Sequence, residues 1–531
     1  MNMLRNTWLK TLVVVAAFFS LSTLQSCLNL DEVVYSDLTS ANFPSSREEL
    51  IAAVGAVYTN LYSFQNHNSY FSLVEVASDE AMIPQRGADW FDGGQWLRVH
   101  RHEYTAGEES INNAWNFLYR GIGVANSVIS VLKDPATKDR TGISDAEIEL
   151  YIAELRGLRA LYYLWLIDAF GNAPLVTDET EFEAQPTNTP RAEIYAFIES
   201  ELTAIAPTLS ADKTVNTYAR FTRHAANTLL AKLYLNAEVY KGSAEWAKCV
   251  QACDAVINSN VFSLTADYFE NFNTDNDNGG VGTSENIFCI PYDAVRAPGF
   301  NLPQMTLHYS SQATFQLQEQ PWNGYCSLQE FYNSYEDGDV RKGEYSNQQV
   351  RGNFLAGQQF AADGVTPLED TGAEPTDPDG PTLVFTPEIN EHFPNALRQA
   401  GVRVGKFEYE LGSPNSLNND FPILRYADVL LMKAEALWKQ NNAGEALVLV
   451  NQIRSRAGVD AFGDLNADNL LAERGREMFF EGWRRQDLIR LGKYNGTWDF
   501  KPASDPSKNI FPIPGPQLNA NINLQQNPGY N

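Results

Sequence analysis

After Leu24 the chain never strings together the roughly 18 uninterrupted apolar residues that a membrane-spanning helix needs, so it supplies no lasting transmembrane segment. Positive charge is scarce. Lys and Arg number 39 against 66 Asp and Glu, a formal net charge of −27. Such a surface repels phosphate backbones and anionic lipid, which argues against nucleic acid as a partner and disfavours polyanionic sugars. Cysteine is sparse, with five in the chain. Cys249 and Cys253 lie four apart on one helical pattern, Cys289 and Cys326 stand far downstream, and no His lies near the first pair. Zinc requires four well-spaced ligands, so these four cysteines read as small buried apolar side chains, not as a metal or redox centre. Missing too are the Gly-rich phosphate loop, the His-Glu-x-x-His zinc motif and the Gly-x-Ser-x-Gly nucleophile elbow, and no motif calls for a cofactor.

What is present begins with a leader. Arg5 and Lys10 precede an apolar run from Thr11 to Leu24, and Leu24-Gln25-Ser26-Cys27 follows. This has the form of a secretory signal, residues 1–26, removed on export. The Leu-x-Ser-Cys box resembles a bacterial lipoprotein cleavage site that leaves Cys27 as the acylated first residue, the other reading being ordinary cleavage near Ser26. Several acyl chains at about 0.8 kcal/mol per buried methylene make such an anchor effectively permanent. Asp31 and Glu32 follow closely and resemble an export tag for surface lipoproteins.

The rest is dominated by helical hairpins. Ala226, Leu230, Leu233, Tyr234 and Ala237 step by three and four; a Lys241-Gly242-Ser243 turn then leads to Trp246, Val250, Cys253 and Ile257. A second pair runs from Leu424, Ala427, Leu431, Ala434 and Leu437 through Asn441-Asn442 to Leu447, Val450 and Ile453. Two apolar stripes joined by a tight turn make an antiparallel helix pair, and small Ala beside bulky Leu, Tyr and Trp resembles a tetratricopeptide unit. Less regular pairs fit 145–170 with 190–206, and 46–64 with 111–131. Insertions at 65–110 and 260–420 separate the pairs, and long loops in a compact protein are where function concentrates. Repeat surfaces alone are also compatible with a peptide-binding scaffold. Within the second insertion Asn273, Asp275 and Asp277 mimic the start of a calcium loop, yet the glycine falls one place late, at Gly279, and Ser284 replaces the bidentate acid, so a solvated loop is expected.

Several motifs recur in an order that resembles one family. Asn419-Asp420-Phe421-Pro422-Ile423-Leu424-Arg425-Tyr426-Ala427-Asp428 continues through Ala436. Ile453-Arg454-Ser455-Arg456-Ala457-Gly458, Glu473-Arg474-Gly475-Arg476-Glu477, and Phe480-Glu481-Gly482-Trp483-Arg484-Arg485-Gln486-Asp487-Leu488 come next, with a tail of Phe511-Pro512-Ile513-Pro514 and Asn527-Pro528-Gly529-Tyr530. Upstream, Ala125-Asn126, Leu155-Arg156-Gly157-Leu158-Arg159-Ala160 and Phe170-Gly171-Asn172-Ala173-Pro174-Leu175 fit the N-terminal half. With the lipoprotein leader, the set resembles the SusD/RagB family over nearly the whole mature chain. The resemblance implies a mainly α fold, in which four tetratricopeptide-like hairpins form a scaffold and a loop-rich lobe with little β structure carries the ligand site. It divides the chain into an N-terminal helical region at 27–260, a loop-rich insertion at 261–420 and a C-terminal helical region at 421–531. It further implies a glycan-binding lipoprotein on the outer face of an outer membrane, partnered with a SusC-like TonB-dependent transporter, with oligopeptide as the alternative cargo.

Each conspicuous charge has a structural reading. Glu481 lies within helical reach of Arg484 and Arg485, Arg474 of Glu477, and Asp487 of Arg490, while Arg425 and Asp428 look like a buried pair. Glu477 and Glu481 have the look of a glycosidase acid/base pair, but an Arg beside each acid holds it ionised, whereas a general acid needs its pKa raised. Ion pairing, not surface glycoside hydrolysis, is therefore expected. Sugars present C–H faces that stack on flat rings and hydroxyls that need amide, carboxylate or guanidinium partners. Trp90, Asp92 and Trp96 offer that mixture in the first insertion, and Trp322, Asn323 and Tyr325 offer it in the second. These six are the candidate ligand-binding residues, with a neutral glycan the favoured ligand.

Overall fold

The computed structural model describes residues 43–181, 183–343, 351–370 and 382–530. The leader and Cys27, and with them the lipidation reading, lie outside the described residues. The scaffold helices are α1 (Arg47–Thr59), α2 (Glu109–Lys133), α3 (Asp145–Phe170), α4 (Arg191–Ile205), α5 (Arg223–Leu235), α6 (Trp246–Ile257), α7 (Tyr426–Lys439), α8 (Ala443–Arg456), α9 (Ala467–Met478) and α10 (Arg484–Arg490). Local chemistry sets their starts. The Ser46 hydroxyl accepts from the Glu49 N–H at α1, and Ser144 forms a reciprocal capping box with Glu147 at α3.

The helices pair in chain order. α1 packs on α2, α3 on α4, α5 on α6 and α7 on α8; α2 also lies against α3, α4 against α5 and α6 against α7. Each hairpin thus covers the apolar face its neighbour leaves open, giving the mainly helical, tetratricopeptide-like scaffold of four hairpins. Small residues permit the close approach. A Cβ on Gly121 of α2 would stand 2.4 Å from the Tyr162 ring of α3, and one on Gly157 would stand 2.2 Å from the Phe221 ring.

Three local expectations need correction. The stripe read through Ala237 breaks at Asn236, whose side-chain amide donates back to the Lys232 carbonyl at 2.9 Å; a short helix, Ala237–Lys241, then precedes the left-handed Gly242. Leu424 does not belong to α7. Phe421–Arg425 is a fully buried strand, β2, paired antiparallel with β1 (Asn286–Ile290), and the helix starts only at Tyr426. Since the ladder has two strands, Pro422 sits where a missing N–H is tolerated. Segment 65–110 is not all loop, because it contains the short helices Tyr70–Val76 and Gln95–His100.

The charged motifs are ion-paired, but mostly with partners far away in the chain. Arg425 and Asp428 do not pair with each other. Arg425 reaches Glu477 and Glu481, each at 2.7 Å, and also Glu285; Asp428 takes Lys232 at 2.5 Å and Arg474 at 2.9 Å. Nor does Glu481 bind Arg484 or Arg485. α9 ends at Met478, so Glu481 leaves that helix and meets Lys406 at 2.5 Å. Glu477 meets Arg341 at 3.1 Å, together with Arg456, instead of Arg474. Asp487 and Arg490 do pair, at 2.7 Å. Guanidinium neighbours hold the Glu477 carboxyl far below its ordinary range and Glu473 down to about 2, against the opposing push of burial.

Short ladders brace the loop-rich region. Ala81–Met82 pairs with Cys326–Ser327, Phe354–Leu355 with Arg403–Val404, and Gly357–Gln358 with Val384–Phe385. The first of these ties one insertion to the other. In the Asn-rich loop the buried Asn276 amide donates to the Asn271 and Asp420 carbonyls, both at 2.8 Å, and Asn273 accepts from Arg351. Cys249, Cys253, Cys289 and Cys326 are all buried free thiols.

Candidate functional site

Arg86 fastens the two insertions side by side. It is buried, donates from Nε to the Asn323 carbonyl at 3.0 Å and from Nη2 to the Ala400 carbonyl at 2.9 Å, and also reaches the Leu397 carbonyl. Beside this clasp opens a cleft of about 420 Å³ lined by His67, Asp89, Trp90, Asp92, Tyr309, Gln320, Pro321 and Trp322. Both insertions contribute, and the two half-buried indoles meet there. Trp90 donates from Nε1 to the Trp322 carbonyl at 2.6 Å, and the two indoles lie 6.4 Å apart at 52°. His67 stands edge-on to both, 6.0 Å from Trp90 and 5.2 Å from Trp322. Trp90 at φ 60° and Asp92 at φ 40° occupy the left-handed region, a strained conformation that holds this loop in a tight bend.

The sequence candidates divide into two groups. Trp90, Asp92 and Trp322 line the cleft. Trp96, Asn323 and Tyr325 do not, because each is buried. Trp96 is 1% exposed because the short helix Gln95–His100 turns it into the core, where its Nε1 donates to the Asp92 carboxylate at 2.8 Å and fixes that group at the rim. Asn323 is fully buried and its amide is consumed, donating to the Arg398 carbonyl at 2.9 Å and accepting from Arg403 at 2.7 Å. Tyr325 is fully buried, donates its hydroxyl to Ser72 and props the Trp90 ring edge-on at 5.9 Å.

Five lining residues are not among the six candidates: Asp89, Gln320, Pro321 and two rings, His67 and Tyr309. The signal was the same one that exposed Trp322, a ring among polar loop residues, in Asn66-His67-Asn68 and in His308-Tyr309-Ser310. The Tyr309 hydroxyl donates to Asp89, and the Arg398 guanidinium lies 4.5 Å from its ring centroid. Burial pushes the His67 imidazole below its usual pKa, outweighing the pull of Asp92, so it stays neutral at pH 7. Among the described lining residues two are carboxylates and none is Lys or Arg, which makes the cleft hospitable to neutral polyols and hostile to polyanions. Flat rings with carboxylate and amide acceptors at their edges suit a sugar's apolar face and its hydroxyl rim.

A family model described as "Starch-binding associating with outer membrane" matches residues 29–235, and the SusD family model matches residues 399–530. The chain belongs to the SusD family. Among SusD-like relatives, the starch-binding protein SusD of Bacteroides thetaiotaomicron is 29% identical, over 73% of this chain and 74% of its own length. The SusD-like protein P2 of Formosa agariphila is 25% identical, over 96% of this chain and 98% of its own. A solved laminarin-binding SusD-like protein superposes with a TM-score of 0.71 at 22% identity, covering 92% of this chain and all of the other. Surface glycan-binding protein A from Bacteroides thetaiotaomicron, in complex with laminarihexaose, gives 0.70 at 23%, covering 91% of this chain and 99% of that one. At such identities these structures establish the shared fold.

Proposed function

We propose that this SusD-like protein is a surface lipoprotein that captures neutral oligo- or polysaccharide and passes it to a SusC-like TonB-dependent outer-membrane transporter. The observation that carries the reading is the cleft in which Trp90 and Trp322 meet beside Tyr309, edged by Asp89, Asp92 and Gln320, with no Lys or Arg among its described lining residues. Relatives named for binding starch and laminarin support it. The Leu24–Cys27 box supports a lipid anchor. A tethered protein can hold sugar but cannot move it inward, so the physical role requires a separate transporter.

The positions of Glu477 and Glu481, the acids that look like a hydrolytic pair in the sequence, support binding without hydrolysis. Glu477 and Glu481 are buried in ion pairs. Glu75 and Glu80 have raised pKa values, as a general acid needs, but are 1% and 0% exposed, so no glycosidic bond reaches them. The test is electrophoresis of the purified protein through gels containing neutral or acidic polysaccharide, alongside a reducing-end assay. Retardation by a neutral polymer with no time-dependent release of reducing ends is the expected result. Retardation by acidic polymers alone, or steady release of reducing ends, would overturn the reading.

A further inference from the structure

A second cleft, about 570 Å³, adjoins the first, and the two share Tyr309 and Gln320 as a common wall. Its other polar lining residues include Ser310, Gln312, Glu369 and Arg398. The wall is built rigidly. Tyr309 is tied to Asp89 through its hydroxyl and rests against Arg398, while the Ser310 hydroxyl donates to the Glu369 carbonyl at 3.2 Å. Beneath it, Arg398 pairs with the buried Asp370 at 2.8 Å, and His308 stands 3.2 Å from the same carboxylate. Burial holds His308 down to about 4, so at pH 7 it is neutral and the Asp370 charge is matched by Arg398. Arg398 and Asp370 thus pair in the floor, while the rim offers hydroxyl, amide and carboxylate groups to a ligand. A single sugar stacked against Trp90 or Trp322 leaves this second space unused. A chain of sugars leaving the first cleft past Tyr309 enters it directly.

We infer that the two clefts form one elongated site, in which the first stacks a sugar against its aromatic rings and the second binds the continuing chain through its hydroxyls. This rests on the glycan reading above and deepens it, because it assigns the ligand class as an extended neutral oligosaccharide and gives the protein a means of preferring long chains to short ones. Ala313, exposed on the short helix Ser311–Phe315, lines only the second cleft, so Ala313→Trp fills it without touching the first. Glu369→Ala removes one exposed acceptor from the same cleft without adding bulk.

The experiment titrates wild type and both variants, by calorimetry, with disaccharides and hexasaccharides of the laminari-, cello-, malto- and manno-series. Wild type is expected to bind its preferred hexasaccharide about tenfold more tightly than the disaccharide, the scale of one or two added net hydrogen bonds. Ala313→Trp should close that gap and Glu369→Ala narrow it, with disaccharide affinity unchanged in both. If hexasaccharide and disaccharide bind wild type equally, or if Ala313→Trp keeps the gap, the elongated site is overturned while the glycan reading stands. If no sugar of the panel binds, the glycan reading falls and the inference with it. Should Ala313→Trp fold poorly, Glu369→Ala decides, since a full gap in that variant is equally contrary.

Discussion

Replacing Arg425 with Met should lower folding stability by about 3 kcal/mol at pH 7, the lower end of the range for breaking a buried pair. The guanidinium is fully buried, 2.7 Å from both Glu477 and Glu481, and it also touches Glu285. Methionine fills much of the same stem volume, so the loss is electrostatic and not a cavity effect. It falls at the lower end because each acid keeps another cation. Glu477 retains Arg341 at 3.1 Å, Glu285 retains Arg456 at 2.8 Å and Glu481 retains Lys406 at 2.5 Å. The pH dependence follows from the sign of the shifts. In wild type Glu477 and Glu285 are depressed, so their stabilisation is present above the unfolded carboxylate range and is lost as pH falls. Removing Arg425 raises their folded pKa values, so the deficit is greatest near pH 7 and shrinks toward pH 4. Urea unfolding followed by tryptophan fluorescence reads both numbers, with an unchanged m-value as the control. A loss under about 1 kcal/mol at pH 7, or a deficit that grows on acidification, would refute the reasoning.

Trp96→Ala should cost about 3–5 kcal/mol of stability by calorimetry, because the ring is core and not platform. Gly324→Ala should weaken glycan binding on the order of tenfold, as expected for displacing an aromatic anchor. Its Cβ would lie 2.4 Å from the Trp90 ring and 2.8 Å from the Met305 carbonyl oxygen, so the ring must move; the shift is checked by titration and by tryptophan fluorescence. Glu75→Gln should raise the melting temperature at pH 8 and leave it unchanged at pH 4. Burial lifts the Glu75 pKa to about 7, so the native state loses stability as pH climbs from the ordinary carboxylate range through that value, and the neutral amide does not.

The scaffold was legible where helices are amphipathic and long. Asn441-Asn442 marked a real turn, with Asn441 in the left-handed region, and the stripes either side of it became α7 and α8. Legibility failed where apolar residues are continuous, because Phe421–Arg425 is buried on every side and periodicity cannot separate such a strand from a helix start. It failed again for charge partners. Helical spacing suggested neighbours for Glu477 and Glu481, whereas tertiary packing supplied Arg341, Arg425 and Lys406 from other segments. At the candidate site, loop composition singled out the two insertions, and of its six candidates Trp90, Asp92 and Trp322 line the cleft between them. It could not tell a cleft-lining ring from a buried one, because Trp96 is turned inward by the short helix Gln95–His100 while Trp90, at positive φ ahead of it, stays half-buried.

The most direct test of a glycan platform at this cleft is titration of Trp322→Ala with the neutral polysaccharide that retards the wild-type protein. The half-buried ring can be removed while the Trp322 backbone keeps its bonds to Gln304 and to the Trp90 indole, at 2.7 and 2.6 Å. Affinity should fall by about 1 to 3 kcal/mol, a roughly 5- to 150-fold rise in Kd, with the melting temperature nearly unchanged. Unchanged affinity in a folded Trp322→Ala protein would contradict the assignment of this cleft as the binding site.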